Sequence, residues 1–198
     1  MTTLLCAVLV LAAKPAPSFE TLKDGAAVLE RPGAATAALV GECSQDDPEL
    51  QIQCQENIKT ARQDHLDKRY YIDLGAGHQD LLAFEALRGS SARFLWVPMY
   101  DPGNGLALTA VKPGALTKDG WPVLKKKVLD GAAPKGQLAS DLTRLARLGQ
   151  INIEIIGRFG KTWALTHKGK KVQGVVFEIQ AVRLSQARTG ETVIETLY

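Results

Sequence analysis

Val175-Val-Phe-Glu-Ile-Gln-Ala-Val182 decides how the second half of the chain folds. Val175, Phe177, Ile179 and Ala181 alternate with Val176, Glu178, Gln180 and Val182, the period of two expected of a strand with one buried face. Arg183 and Leu184 break that parity, so a bulge near Val182 to Leu184 is expected to restore it. Ala187-Arg-Thr-Gly190 then supplies a turn before a last strand over Glu191 to Leu197. Upstream, Ile151 to Ile156 and Thr162 to Thr166 read as two further strands. Between them Gly157-Arg-Phe-Gly-Lys-Thr162 ends like a phosphate-binding loop, but Ile155 stands where that motif needs its first glycine, so a tight hairpin turn is the expectation.

Working back towards the N-terminus, Leu138, Leu142, Leu145 and Leu148 share one helical face that Gly149 ends. Lys112 to Gly136 has little periodicity and many prolines, glycines and lysines, and reads as a long surface excursion after the turn-rich Asp101-Pro-Gly-Asn-Gly105. Arg69 to Leu74, Leu81 to Leu87 and Ala92 to Tyr100 read as strands. Before Asp67 the periodicity is helical. Ser18 caps a face of Phe19, Leu22, Ala26 and Leu29, Arg31-Pro32-Gly33 interrupts it, and Ala34 to Val40 resumes as a short helix. The third helix begins with Asp46 or Asp47 as its cap and Pro48 in its first turn, with Leu50, Cys54, Ile58, Ala61 and His65 on its core side.

The expected architecture is therefore α+β, with N-terminal helices packed on a mainly antiparallel sheet, either an OB-like barrel or a curled sheet. The domain reading is a signal peptide and linker over 1–17 and a single domain over 18–198, helical in 18–67 and β-rich in 68–198. The leader reading rests on Leu4 to Ala13, an uncharged apolar run too short to span a bilayer, followed at once by Lys14-Pro-Ala-Pro17. Cleavage is expected between about Ala12 and Ser18. Cys6 lies inside the run, without the small residues that precede a lipidated cysteine. The mature chain then keeps two cysteines, Cys43 and Cys54, and an oxidising compartment favours their pairing. Closing a loop of that size removes about 3 kcal/mol of unfolded-state freedom in the chain-entropy account.

The 198 residues are 45% hydrophobic and 23% charged with a net charge of +3, ordinary globular usage that excludes coiled-coil, collagen-like and wholly disordered chains. Twenty-four basic against 21 acidic residues make no polyanion field, so no nucleic-acid partner is expected. The densest basic clusters, Lys125-Lys-Lys127 and Lys168 with Lys170 and Lys171, read as solvated faces. Tyr70-Tyr-Ile-Asp-Leu-Gly-Ala-Gly77 resembles the first motif of S-adenosylmethionine-dependent methyltransferases. Gln79 stands where that family has a further glycine, and Glu85 comes too soon for its acidic residue, so a plain strand and turn is preferred. His65, His78 and His167 are too scattered for a metal cluster. His65 suits a helix C-terminus.

No catalytic residue, cofactor or metal is assigned. Trp96, Tyr100 and Trp121 flank the turn-rich region and could wall a ligand site. The leader, Cys43 with Asp47-Pro48 and Cys54, Leu116-Thr-Lys-Asp-Gly-Trp-Pro122 and Arg188-Thr-Gly-Glu191 resemble small exported bacterial envelope proteins of unknown function. The resemblance implies a secreted or periplasmic protein and brings no catalytic residue. The leading functional expectation is a non-enzymatic binding module for an envelope component or small ligand, with no transmembrane span in the mature protein. Its rival is a hydrolase or transferase whose site is assembled from separated residues.

Overall fold

A computed structural model describes residues 17–43, 46–76, 82–85, 93–96, 99–101, 104–116, 118, 122–123, 144–145 and 148–198. Its spine is a pair of antiparallel strands, β9 (Ile151–His167) and β10 (Lys170–Gln186), each 17 residues long. The other described strands are β1 (Ala27–Val28), β2 (Arg69–Gly75), β3 (Leu82–Glu85), β4 (Arg93–Trp96), β5 (Met99–Asp101), β6 (Leu106–Thr109), β7 (Ala115–Leu116), β8 (Pro122–Val123) and β11 (Thr192–Leu197). In the main sheet the order is β1-β2-β9-β10-β6-β5, and β11 pairs β10 beyond the end of β6. It is a curled, mixed sheet, a half-barrel, so the expected α+β class with a curled sheet holds. The β2, β9, β10 and β11 neighbours and the β5 and β6 pair are antiparallel, while β1 with β2 and β6 with β10 are parallel. β3 with β4, and β7 with β8, form separate two-stranded sheets.

The expected hairpin turn between Ile156 and Thr162 does not exist. Residues 151–167 run as one strand, and Gly157 lies within it because β10 passes too close for any side chain. A Cβ there would sit 2.6 Å from the Glu178 carbonyl oxygen and from the Phe177 ring. Gly174 does the same for β10, where a Cβ would run into the Ala107 carbonyl of β6 and the Trp163 indole. Two register shifts interrupt the β9–β10 ladder, between Val175 and Phe177 and between Ile179 and Ala181. The second breaks the alternation slightly earlier than expected; a third irregularity, between Leu184 and Ser185, belongs to the pairing with β11. The first puts its extra residue in β9 and the second in β10, and each exchanges the faces only of the strand that carries it. Val175, Phe177 and Ile179 therefore share the main core with Val182 and Leu184, although their parities differ.

Both faces of the sheet are covered. α2 (Pro32–Val40) and α3 (Pro48–Leu66) lie over the main core, where Tyr70, Ile72, Leu74, Leu108, Ile153, Ile155, Phe159 and Phe177 meet Ala35, Leu39 and Val40. α1 (Phe19–Asp24) covers the other face, burying Phe19 against Tyr71, Ile156 and Ala181. A smaller cluster, Trp163 with Ala107 and Val172, fills that second face nearer the β9–β10 turn, and the indole Nε1 donates to Thr109 Oγ1 at 3.0 Å.

The first helix is shorter than its periodicity suggests. It stops before Gly25, and Ala27–Val28 pairs in parallel with Tyr70 and Tyr71, so the edge of the sheet captures the back half of the expected face. Leu29 still enters the main core, through its backbone bond to the Tyr71 carbonyl. α2 begins at Pro32 itself, since a first-turn proline has no amide that the helix needs. Leu50 is 51% exposed and does not join the core side of α3, which consists of the half-buried Cys54, Ile58, Ala61 and His65. The expected strands at 81–87 and 92–100 are found in part, as β3, β4 and β5. β6 was not expected at all. The helix expected over 138–148 falls mostly outside the described residues, with Arg144 and Leu145 helical.

Replacing Gly174 with alanine is expected to cost roughly 1 to 3 kcal/mol, the range for overpacking a filled interior. Gly33→Ala, in α2 with open space around it, should be neutral or stabilising by up to about 1 kcal/mol. Thermal denaturation followed by circular dichroism compares the two, and equal melting temperatures would contradict the close approach of β6 and Trp163.

Candidate functional site

Of the residues nominated from sequence as a ligand wall, two fall on described strands. Trp96 ends β4, in the small sheet with β3, and Tyr100 lies in β5, opposite Ala107 of β6. Trp121, like His78 and Lys125 to Lys127, lies outside the described residues. Tyr70 to Gly75, the stretch resembling a methyltransferase motif, is a strand antiparallel to β9, whereas that cofactor motif belongs to a parallel sheet.

Cys43 and Cys54 are paired, with their Cα atoms 5.8 Å apart. Sequence places Cys54 in the second turn of α3 and Cys43 just past α2, and the bridge ties the two helices together. The tie matters because α3 buries no residue fully along its 19 residues. Two further contacts hold it. Arg62 Nε donates to the Leu39 carbonyl at 3.1 Å, supplying a partner and a positive charge at the C-terminal end of α2. His65 Nδ1 and the Tyr70 hydroxyl are 2.7 Å apart. Burial, with the Asp64 charge beside it, raises the Tyr70 pKa. The imidazole also meets the Phe159 ring edge-on, with centroids 5.6 Å apart.

Between the end of α2 and the flank of α3 these contacts leave an open groove of about 400 Å³. Gly41 and Cys43 form its near end. Gln55, Ile58, Lys59, Arg62, Gln63 and Leu66 project from α3, at the spacings of three and four residues that bring side chains onto one side of a helix. Gly41 fits because a Cβ there would press on Ile58 at 3.3 Å. Among the described residues no carboxylate lines the groove, and neither Lys59 nor Arg62 pairs with one. The nearby Glu42 is engaged with Lys171 of β10. Two cations, two side-chain amides and an apolar floor of Ile58, Leu66 and the disulfide can hold an anionic, partly apolar ligand. Sequence reading placed Cys54 and Ile58 on the core side of this helix. It missed the flank beside them, although the recurrence of Gln55, Lys59, Arg62 and Leu66 was there to be read.

A connected group of perturbed ionisable side chains lies on the opposite face of the sheet, under α1. Glu154 Oε1 accepts from the Tyr71 hydroxyl at 2.6 Å and from Lys23 Nζ at 2.8 Å. Arg183 reaches Glu20 at 2.6 Å and Glu195 at 3.0 Å, and lies over the Phe19 ring at 4.0 Å. Burial alone would raise the Glu154 pKa, but the bonds from Lys23 and Tyr71, with the Arg183 charge, hold it below the usual carboxylate range. Burial, then the bond to Glu154, pushes Tyr71 up to about 12. Burial opposes the charge on Lys23, yet Glu154 and Tyr71 carry its pKa above the ordinary value. The network fastens α1 to β2, β9, β10 and β11. Among the described residues no group of three or more His, Cys, Asp or Glu could hold a metal ion.

DUF6066, a family of unknown function, has a model that matches residues 1–197. No curated protein and no solved structure matches the chain.

Two predictions follow from these contacts. Replacing both bridged cysteines with serine should cost about 2 to 5 kcal/mol and strip hydrogen-exchange protection from α3 while β9 and β10 keep theirs; unchanged protection in α3 would contradict the stapling role. Glu154, with its pKa depressed in the folded state, contributes stability that is present above its unfolded pKa and is lost as pH falls through the folded value. Glu154→Gln should therefore cost roughly 1 to 3 kcal/mol at neutral pH, and denaturant titrations should show less of the wild-type loss of stability between neutral pH and about pH 3.

Proposed function

The chain belongs to that family, and from this premise we propose that it is an exported, non-enzymatic binding module acting in the periplasm or outside the cell. The observation that carries the reading is the α2–α3 groove, where a disulfide frames a concave, cationic and partly apolar surface with no carboxylate among its described lining residues. Binding sites have this composition, with a mostly preformed apolar wall and a few polar groups that set orientation.

Export draws support from the disulfide, which persists in an oxidising compartment. The apolar run Leu4 to Ala13, followed by Lys14-Pro-Ala-Pro17, fits a leader that is removed. No helix among the described residues is long and apolar enough to cross a membrane, which accords with a mature protein free of such a span. A hydrolase or transferase would instead be expected to keep a perturbed acid or base beside a nucleophile in a cleft. Here Glu154, Lys23, Tyr71 and Arg183 spend their interactions on one another and on neighbouring carboxylates. They lie on the other side of the sheet from the groove.

Cell fractionation with N-terminal sequencing tests the export half: a mature product beginning between about Ala12 and Ser18 is expected, and a soluble cytoplasmic protein beginning at Met1 would contradict it. For the binding half, the purified protein should be retained saturably on an envelope fraction without chemical change to either partner. Gln63→Trp, which fills the groove from an exposed helix position, should abolish that retention. Retention that ignores the substitution would remove the groove from the account.

A further inference from the structure

The groove's chemistry specifies its occupant more closely than the binding-module reading on which this inference rests. We propose that it receives an extended acidic peptide segment of a partner protein, one that alternates carboxylate and apolar side chains.

Charge comes first. Lys59 and Arg62 stand one helical turn apart, and among the described residues no carboxylate lines the groove to neutralise them. Arg62 is oriented by its Nε bond to the Leu39 carbonyl, so its guanidinium is held in place before any ligand arrives. Fixed guanidinium groups favour carboxylates, because the planar fork matches the two oxygens.

Shape and the remaining polar groups select among anions. From Gln55 to Leu66 the wall extends over about 16 Å at 1.5 Å per helical residue. That length suits roughly five residues of extended chain at about 3.3 Å each. Gln55 and Gln63 each carry a donor and an acceptor, the complement of a peptide backbone, which presents one of each per residue. Ile58 and Leu66 offer apolar contact beside the cations, matching a strand whose alternate side chains differ in polarity. A single-chain anionic lipid fits less well. It would need a deep apolar cavity with the charge at one mouth, whereas this groove is open and its cations lie midway along it.

The test uses the purified full-length protein and a fluorescein-labelled hexapeptide of alternating glutamate and leucine, read by fluorescence anisotropy. Saturable binding that weakens with salt is expected. Lys59→Glu should weaken it roughly tenfold. Lys59 is exposed and makes no described contact that folding would miss. Lys170→Glu, the same charge change at the far turn of the β9–β10 ribbon, should leave affinity unchanged. Absence of saturable binding, equal losses from the two reversals, equal binding of a lysine–leucine hexapeptide, or displacement of the peptide by oleate at lower concentration than by unlabelled peptide would each overturn the proposal. If the peptide fails while Gln63→Trp still abolishes retention on the envelope fraction, the acidic-peptide assignment falls and the binding-module reading stands. If retention is also insensitive, both fall.

Discussion

Everything described in this protein leans on the close pairing of β9 with β10. Two 17-residue strands joined by a turn would twist apart or expose apolar side chains on both faces if they kept perfect alternation. The register shifts prevent this by moving the buried set from one face to the other along the ribbon. Near the β9–β10 turn Trp163 and Val172 point to the face that Phe19 and Ala181 occupy further along, while Phe159, Phe177 and Val182 fill the main core. Gly157 and Gly174 allow the backbones and rings to approach where a methyl group would already collide. The ribbon then supplies both sides of the sheet, with β2 on the β9 edge and β6 followed by β11 on the β10 edge.

The helices are fastened to that ribbon in two different ways. α1 is only six residues long and could not persist alone, so a buried Phe19 and the charge network through Lys23, Glu154 and Arg183 secure it. α2 contributes ordinary apolar packing through Ala35, Leu39 and Val40. α3 is long, polar and nowhere fully buried, and it depends on the Cys43–Cys54 bridge, on Arg62 and on the His65–Tyr70 contact. A helix held at a few points along one edge leaves space beside it. The groove is that space, so the staple that ties α3 to α2 also frames the surface proposed for binding.

Much of this was legible before the structure. The period of two over residues 175–182, the terminal strand, the helical face carrying Cys54, Ile58, Ala61 and His65, and the cysteine pairing all come from local pattern or simple counting. What escaped depended on distant partners. β6 is four residues whose pairing partner, Gln173 to Val176, lies far along the chain, and nothing local marks it as a strand inside a sheet. Gly157 and Gly160 resemble turn residues because glycine marks both turns and close approaches, and only the position of Phe177 and Glu178 distinguishes the two. Glu154 alternates with Ile153 and Ile155 as a solvent-facing residue would; α1 arriving from the start of the chain makes it a half-buried partner. Lys59 and Arg62 were visible as cations on a helix, but the docking of α2 that turns their flank into a groove was not.

The continuity of β9 through Gly157 to Thr162 is the claim on which the sheet, both cores and the placement of the helices depend. Nuclear Overhauser contacts across the ribbon test it most directly. The account predicts cross-strand contacts of Gly157 with Ile179, Phe159 with Phe177 and Trp163 with Gly174, each in a single register. Contacts between Ile156 and Thr162 closing on one another, with none from Phe159 to Phe177, would mean that a turn divides the strand and would contradict the account.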